Sequence, residues 1–239
     1  MDNEFFSALA DDLAQLIRLH DREIDANVLV ALRMANFPRQ LALQTTDPVG
    51  LQAYANMAAA LAGPLSLDEL AADYAAIYLN NQYAASPYES VWLTDDHLAC
   101  GAPMFELREI YAAAGWRVAD WRERFDDHLV LQLQYLQRQM HASAVDVEKH
   151  ENFLDEHLGY WFPDFARQVS LRCRTSFYAA LVELTHVWLQ QYREVLAEMS
   201  GRAVPTREEV TIRINRKLAR DKADVAPLKF MPGVAGPSW

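Results

Sequence analysis

Apolar residues in this chain recur every three or four positions, segment after segment, and that spacing favours α-helix over every alternative. Phe6, Leu9, Leu13, Leu16 and His20 share one face of a first helix. Leu129, Leu133, Leu136 and Met140 form a second such stripe, so the leucine–glutamine alternation around them is helical and not a strand. Similar patterns cover residues 27–35, 50–61, 104–114, 145–157, 163–172 and 176–199, the last with Phe177, Leu181, Leu184, Trp188 and Val195 on one side. Ser66 and Glu69 form a capping box that opens a helix carrying Leu70, Tyr74 and Ile77 on one face. Phe37-Pro38 and Gly63-Pro64 stop helices, and Gly115 suits a left-handed C-cap. The expected fold is all-α: a single globular domain of eight or nine mostly short helices over residues 1–200, too irregular in length for a four-helix bundle.

Residues 201–239 differ in character. The segment EVTIRI alternates briefly, RKLARDK is basic, and APLKFMPGVAGPSW is apolar with proline and glycine. This stretch is expected to be a C-terminal extension, too short to build its own core. It holds eight basic and four acidic residues, about +4, so the first 200 residues carry −15 of the net −11. An acidic body favours cationic partners and opposes sequence-independent nucleic-acid binding. A chain of 239 residues with 51% hydrophobic content buries roughly 70% of its unfolded surface and needs no staples. Cys100 and Cys173 stand far apart without a CxxC spacing, which fits a reducing compartment. The acidic start MDNEFFSALADD is unlike a secretory signal, and no apolar run reaches the roughly 18 residues of a membrane span, so a cytoplasmic address is expected.

Residues 80–102 form a long connection with aromatic content, including Tyr83, Tyr88 and Trp92, and such connections are either functional or packed over the core. Nucleotide-binding glycine loops, GxSxG and HExxH are all absent. One ExxH occurs, Glu183 to His186, where a di-iron carboxylate site needs two. No metal and no cofactor are expected. The pair Asp127-His128 opens the helix of the second stripe, with Asp126 before it. An aspartate there is first of all a cap worth about 1 kcal/mol, while a charged imidazole in the first turn opposes the helix dipole.

Five segments together resemble the TorD/DmsD/NarJ group of cytosolic redox-enzyme maturation chaperones, the TorD-like branch in particular. They are LAADYAAIYL (70–79), SPYESVW (86–92), ELREIYAAAGW (106–116), DDHLVLQLQYL (126–136) and FLDEHLGYWFPDFARQV (153–169). Asp126 stands where the family usually has proline. The resemblance implies an all-helical, non-enzymatic protein that binds the twin-arginine signal peptide of a molybdopterin oxidoreductase in its apo form until cofactor insertion is complete. It points to Tyr88, Glu89, Ser90, Trp92, Asp127 and His128 as peptide-binding residues. In that role Glu89 and Asp127 would meet guanidinium groups, and Tyr74, Tyr88 and Trp92 would line an apolar groove. His128 would tune the site near neutral pH. Trp161 and Trp188 are expected in the core. Two alternatives stay open: an all-α metal-dependent hydrolase or di-iron protein using Asp127 and His128, and an adaptor without signal-peptide binding. The extension, basic then apolar, loosely mimics a signal peptide and would lie on its own body or on a neighbour's, giving a monomer or a domain-swapped dimer.

Overall fold

The structure, a computed structural model, describes residues 3–94, 97–142 and 144–224. Helices α1 (Asn3–Asp21), α2 (Ala26–Met34), α3 (Pro48–Ala62) and α4 (Leu67–Tyr74) come first, and α4 runs on through a π-wound turn, Ala75–Leu79. Next come the short α5 (Ser90–Leu93), then α6 (Ala102–Ala113) and α7 (Leu129–Met140). Helix α8 (Val147–Phe153) continues through a second π-wound turn, Leu154–Leu158, directly into α9 (Gly159–Arg172). The long α10 (Ser176–Ser200) and α11 (Arg207–Asp224) complete the order. Among the described residues there is no strand, only an isolated antiparallel bridge between Tyr88 and His128. No helix among them is long and apolar enough to cross a membrane.

One expectation about boundaries is corrected. The segments expected as separate helices at 145–157 and 163–172 are one continuous rod that carries Pro163 inside α9. Proline lacks the N–H that bonds to the preceding turn. Here the regular ladder is already interrupted by the π-wound turn, so the rod continues. The EVTIRI segment lies within α11 and does not form a strand. Thr206 and Glu209 form a reciprocal capping box: the Thr206 amide donates to Glu209 Oε2 (2.8 Å) and the Glu209 amide to Thr206 Oγ1 (3.3 Å). The chain divides into two units, with the boundary between Val204 and Pro205, and α11 is the main described part of the second. The apolar end of the extension, residues 225–239, lies outside the described residues.

In the first unit α10 is the spine. Phe177, Leu181, Leu184, Trp188 and Leu196 are buried along it, and α3, α4, α8 and α9 pack around it while α1 packs on α7. Two interior carboxylates tie loops to this core. Asp73 accepts hydrogen bonds from the backbone amides of Arg174 (3.0 Å) and Thr175 (2.7 Å), from the Thr175 hydroxyl (2.7 Å) and from the Tyr83 hydroxyl (2.6 Å). Asp12 accepts from the amides of Ala42 (2.7 Å) and Leu43 (2.9 Å) and from the Trp188 indole (3.2 Å). A buried carboxylate is tolerable only when donors replace its lost water, and these two are well supplied.

Gly159 joins the second π-wound turn to α9. A Cβ there would lie 2.6 Å from the Leu154 carbonyl oxygen, which is backbone and cannot swing away. Alanine normally favours a helix over glycine by roughly 1 kcal/mol. At this position the clash reverses the sign: Gly159→Ala is expected to cost about 1–3 kcal/mol in chemical denaturation. A stabilised variant would refute the close approach.

Candidate functional site

Four of the five segments quoted for the resemblance, all but LAADYAAIYL, meet at one place. The Ser86–Leu93 stretch lies against the residues that lead into α7. The Leu129 amide donates to the Pro87 carbonyl (2.8 Å), and the Glu89 amide donates to the Asp127 carbonyl (3.1 Å). The Ser90 amide donates to Asp127 Oδ2 (2.9 Å), and the Gly101 amide to Ser90 Oγ (3.1 Å). The Trp92 indole N–H folds back to the Ser86 carbonyl (2.8 Å). Tyr88 sets its ring against His128 and Phe125.

Below this surface lies a closed polar network. Glu89 Oε2 accepts from the Gln132 amide (2.9 Å), and Glu89 Oε1 lies 2.9 Å from His157 Nδ1. Gln132 Nε2 also donates to the Asp127 carbonyl (3.0 Å), and its Oε1 accepts from the Trp161 indole (3.3 Å). An indole N–H can only donate, so it fixes which end of the Gln132 amide faces Glu89. His157 Nε2 lies 3.7 Å from Glu106 Oε1 on α6. Burial pushes the Glu89 carboxyl up, and the neighbouring His157 pulls it back down. Burial likewise raises Asp127, against the Ser90 bonds that favour its ionised form.

Several expected roles change. Glu89, Ser90, Asp127 and His128 are all buried, and none presents a carboxylate or imidazole to solvent. Tyr74 is also interior, with its hydroxyl donating to the Asp21 carbonyl (2.7 Å). Tyr88 and Trp92 alone among the seven are half-buried. The cap of α7 is not an aspartate: His128 Nδ1 accepts from the Val130 amide (3.1 Å), while Asp127 serves Ser90 instead. That bond requires Nδ1 without a proton, and burial holds His128 well below the usual imidazole range. It cannot act as a titrating group near neutral pH. Asp127 and His128 therefore address different backbone amides and do not form a shared ligand pair. Among the described residues no group of three or more His, Cys, Asp or Glu is placed to hold a metal ion. The ExxH residues are engaged elsewhere, Glu183 with Asn56 (3.0 Å) and His186 against the Phe162 ring. Trp161 and Trp188 are fully buried, as expected.

Residues 45–167 match the family model described as nitrate reductase delta subunit. The chain belongs to this family, the TorD/NarJ group. A Vibrio cholerae protein named Chaperone protein TorD is 31% identical over 141 residues, covering 55% of this chain and 64% of the relative. Proteins of the same name from Psychrobacter and Shewanella loihica are 29% and 28% identical, the latter over 74% of this chain and 88% of its own length. The chain thus spans just under two thirds of the first of these relatives. Where the TorD/NarJ family usually has proline, Asp126 turns its carboxylate to Arg108 (2.8 Å), and its carbonyl accepts from the Tyr111 hydroxyl (3.0 Å). The loop is thus held by an ion pair and a hydrogen bond.

Gln132, His157 and Glu106 were not among the residues singled out from sequence, and Trp161 was expected only as core. Gln132 gave a usable signal. It lies three residues after Leu129, on the apolar face of α7, and a polar residue facing the core has to find partners there.

The buried imidazoles predict a pH dependence. An unfolded histidine takes up a proton below about pH 6.5, whereas folded His128 does not, so stability falls as pH drops through that range. His20, pushed down to about 3, and His150, to about 4, add to the same trend. His128→Asn keeps a side-chain acceptor for the Val130 amide and does not titrate. Its denaturation midpoint is expected to fall less than wild type between about pH 7 and about pH 5. An identical slope would show that His128 is charged in the folded protein.

Proposed function

We propose that this chain is a maturation chaperone that binds the twin-arginine signal peptide of a molybdopterin oxidoreductase, in its apo form, and holds it until cofactor insertion. The observation that carries this reading is the convergence of the SPYESVW, Asp127-His128 and FLDEHLGYW segments on one hydrogen-bonded network beneath Tyr88 and Trp92. Such a network is costly to bury and is justified when it fixes the shape of a surface. Relatives named as chaperones support the same class, with no covalent chemistry assigned to the site.

In this reading Tyr88 and Trp92 touch the peptide. Glu89, Ser90, Asp127, His128 and Tyr74 hold the surface in shape from below. At Asp126 lies a cleft of about 380 Å³ lined also by Arg108, Glu109, Arg117, Val118 and Trp121. Its exposed Glu109 carboxylate suits a guanidinium, and the exposed Trp121 ring suits the apolar part of the leader.

Calorimetric titration with a synthetic twin-arginine leader tests the proposal. Binding is expected, weakened about tenfold or more by Trp92→Ala or Tyr88→Ala while the circular dichroism stays helical. Failure to bind any twin-arginine leader from a molybdoenzyme would favour an adaptor without a signal-peptide role.

A further inference from the structure

We infer that the cleft between the ends of α2 and α3 is a docking site for an acidic, apolar segment of a partner protein, separate from the surface under Tyr88 and Trp92. This inference does not rest on the leader-binding reading above.

Charge sets the cleft apart. The first 200 residues carry −15, yet residues 26–62, which span α2, α3 and their connection, hold two arginines against one aspartate, a net +1. Neither helix contains an acid. The one aspartate, Asp47, is the N-cap of α3, where it accepts from the Gly50 amide (2.9 Å) at the opposite end of that helix. Both arginines, Arg33 and Arg39, line the same cleft of about 620 Å³, and its lining residues include no acid. Among the described residues no carboxylate pairs with either guanidinium. Leu32, Phe37 and Leu61 give the cleft an apolar, buried floor, and Ala62 is exposed at its edge.

Arg33 is held in place before any ligand arrives. Its Nε donates to the Leu61 carbonyl (2.7 Å) and its Nη2 to the Gly63 carbonyl (3.0 Å). These carbonyls close α3 and have no partner within the helix. The guanidinium therefore loses little freedom on binding, and its Nη1 keeps donors for a carboxylate. Beside it on α2, Val30 and Met34 stand exposed one helical turn apart, Met34 at 79%. A fixed cation next to an exposed apolar stripe suits a segment that carries a carboxylate one turn away from a leucine or phenylalanine.

The same chemistry rejects other occupants. Nucleic acid needs a basic surface over many phosphates, and the acidic body opposes it. The chain's own C-terminal extension, about +4, has the wrong sign. A segment with one or two carboxylates meets only the local charge, because the rest of the body is screened beyond roughly 8–10 Å.

Fluorescence anisotropy with a labelled synthetic peptide tests the site on the full chain. The probe is a helix-forming peptide of about fifteen residues, with leucines every three or four positions and glutamates between them. Its control has lysine in place of glutamate. The glutamate peptide is expected to bind, and to lose about tenfold in affinity in Arg39→Glu and several-fold in Met34→Ser. The lysine peptide is expected to show no loss in Arg39→Glu. Arg39 and Met34 are both exposed, so the two variants are expected to keep the helical circular dichroism and the leader titration of wild type. A glutamate peptide that fails to bind, or that binds both variants as tightly as wild type, overturns the inference. So does sedimentation in which wild type self-associates and Arg39→Glu does not, since that assigns the cleft to a second copy of the chain. Loss of leader binding in Arg39→Glu would also overturn it, by merging the two surfaces. A leader that binds neither wild type nor variant counts against the leader-binding reading alone.

Discussion

A carboxylate with no access to water has to be met by donors from every side, and the Glu89 carboxylate meets that demand by drawing three distant segments together. Gln132 comes from α7, His157 from the π-wound turn after α8, and the backbone that carries Glu89 from the connection after α4. Each donor is in turn fixed by something else: Gln132 by the Trp161 indole and the Asp127 carbonyl, His157 by the shape of its turn. Loss of either donor would leave a buried charge uncompensated, which costs more than a typical hydrogen bond contributes. The arrangement thus ties the segment that carries Glu89 to α7 and to the π-wound turn after α8.

The same logic recurs with simpler parts. Asp73 and Asp12 each fasten backbone amides to the core through hydrogen bonds. Hydrogen bonds replace ion pairs at these sites because loop amides are the groups that need partners. True ion pairs are placed differently. Arg193 binds Glu151 and Asp155 across α8, its π-wound turn and α10, and Arg108 binds Asp126 at the cleft. Among the described residues six carboxylates are buried, those of Asp12, Asp73, Glu89, Asp126, Asp127 and Glu151, and several of them fasten loops.

The helices were legible because their apolar stripes are long and regular. Phe6 to His20 and Leu129 to Met140 could be read directly, and so could the Gly115 and Ser66 caps. Continuity through Pro163 was not legible, since a π-wound turn has no simple residue signature and proline usually argues for a break. The motif segments were recognisable, but their orientation was not. Short polar residues in a loop read equally well as contact groups or as internal fasteners, and only packing decides between them. Asp127 is the clearest case: near a helix start it has the residue type of a cap, yet its oxygen serves Ser90, thirty-seven positions away. The cap passed to His128, which no propensity scale ranks highly.

The Asp73 clasp carries a consequence for biosynthesis. It joins the end of α4 to the α9–α10 turn, residues about a hundred positions apart in sequence. The spine that fills the core, α10, is the last helix of the first unit. On a ribosome, the early helices would therefore emerge with their apolar faces uncovered and wait for most of the chain before closing. The first unit would thus pass through a long unfinished stage in which apolar surface stays exposed.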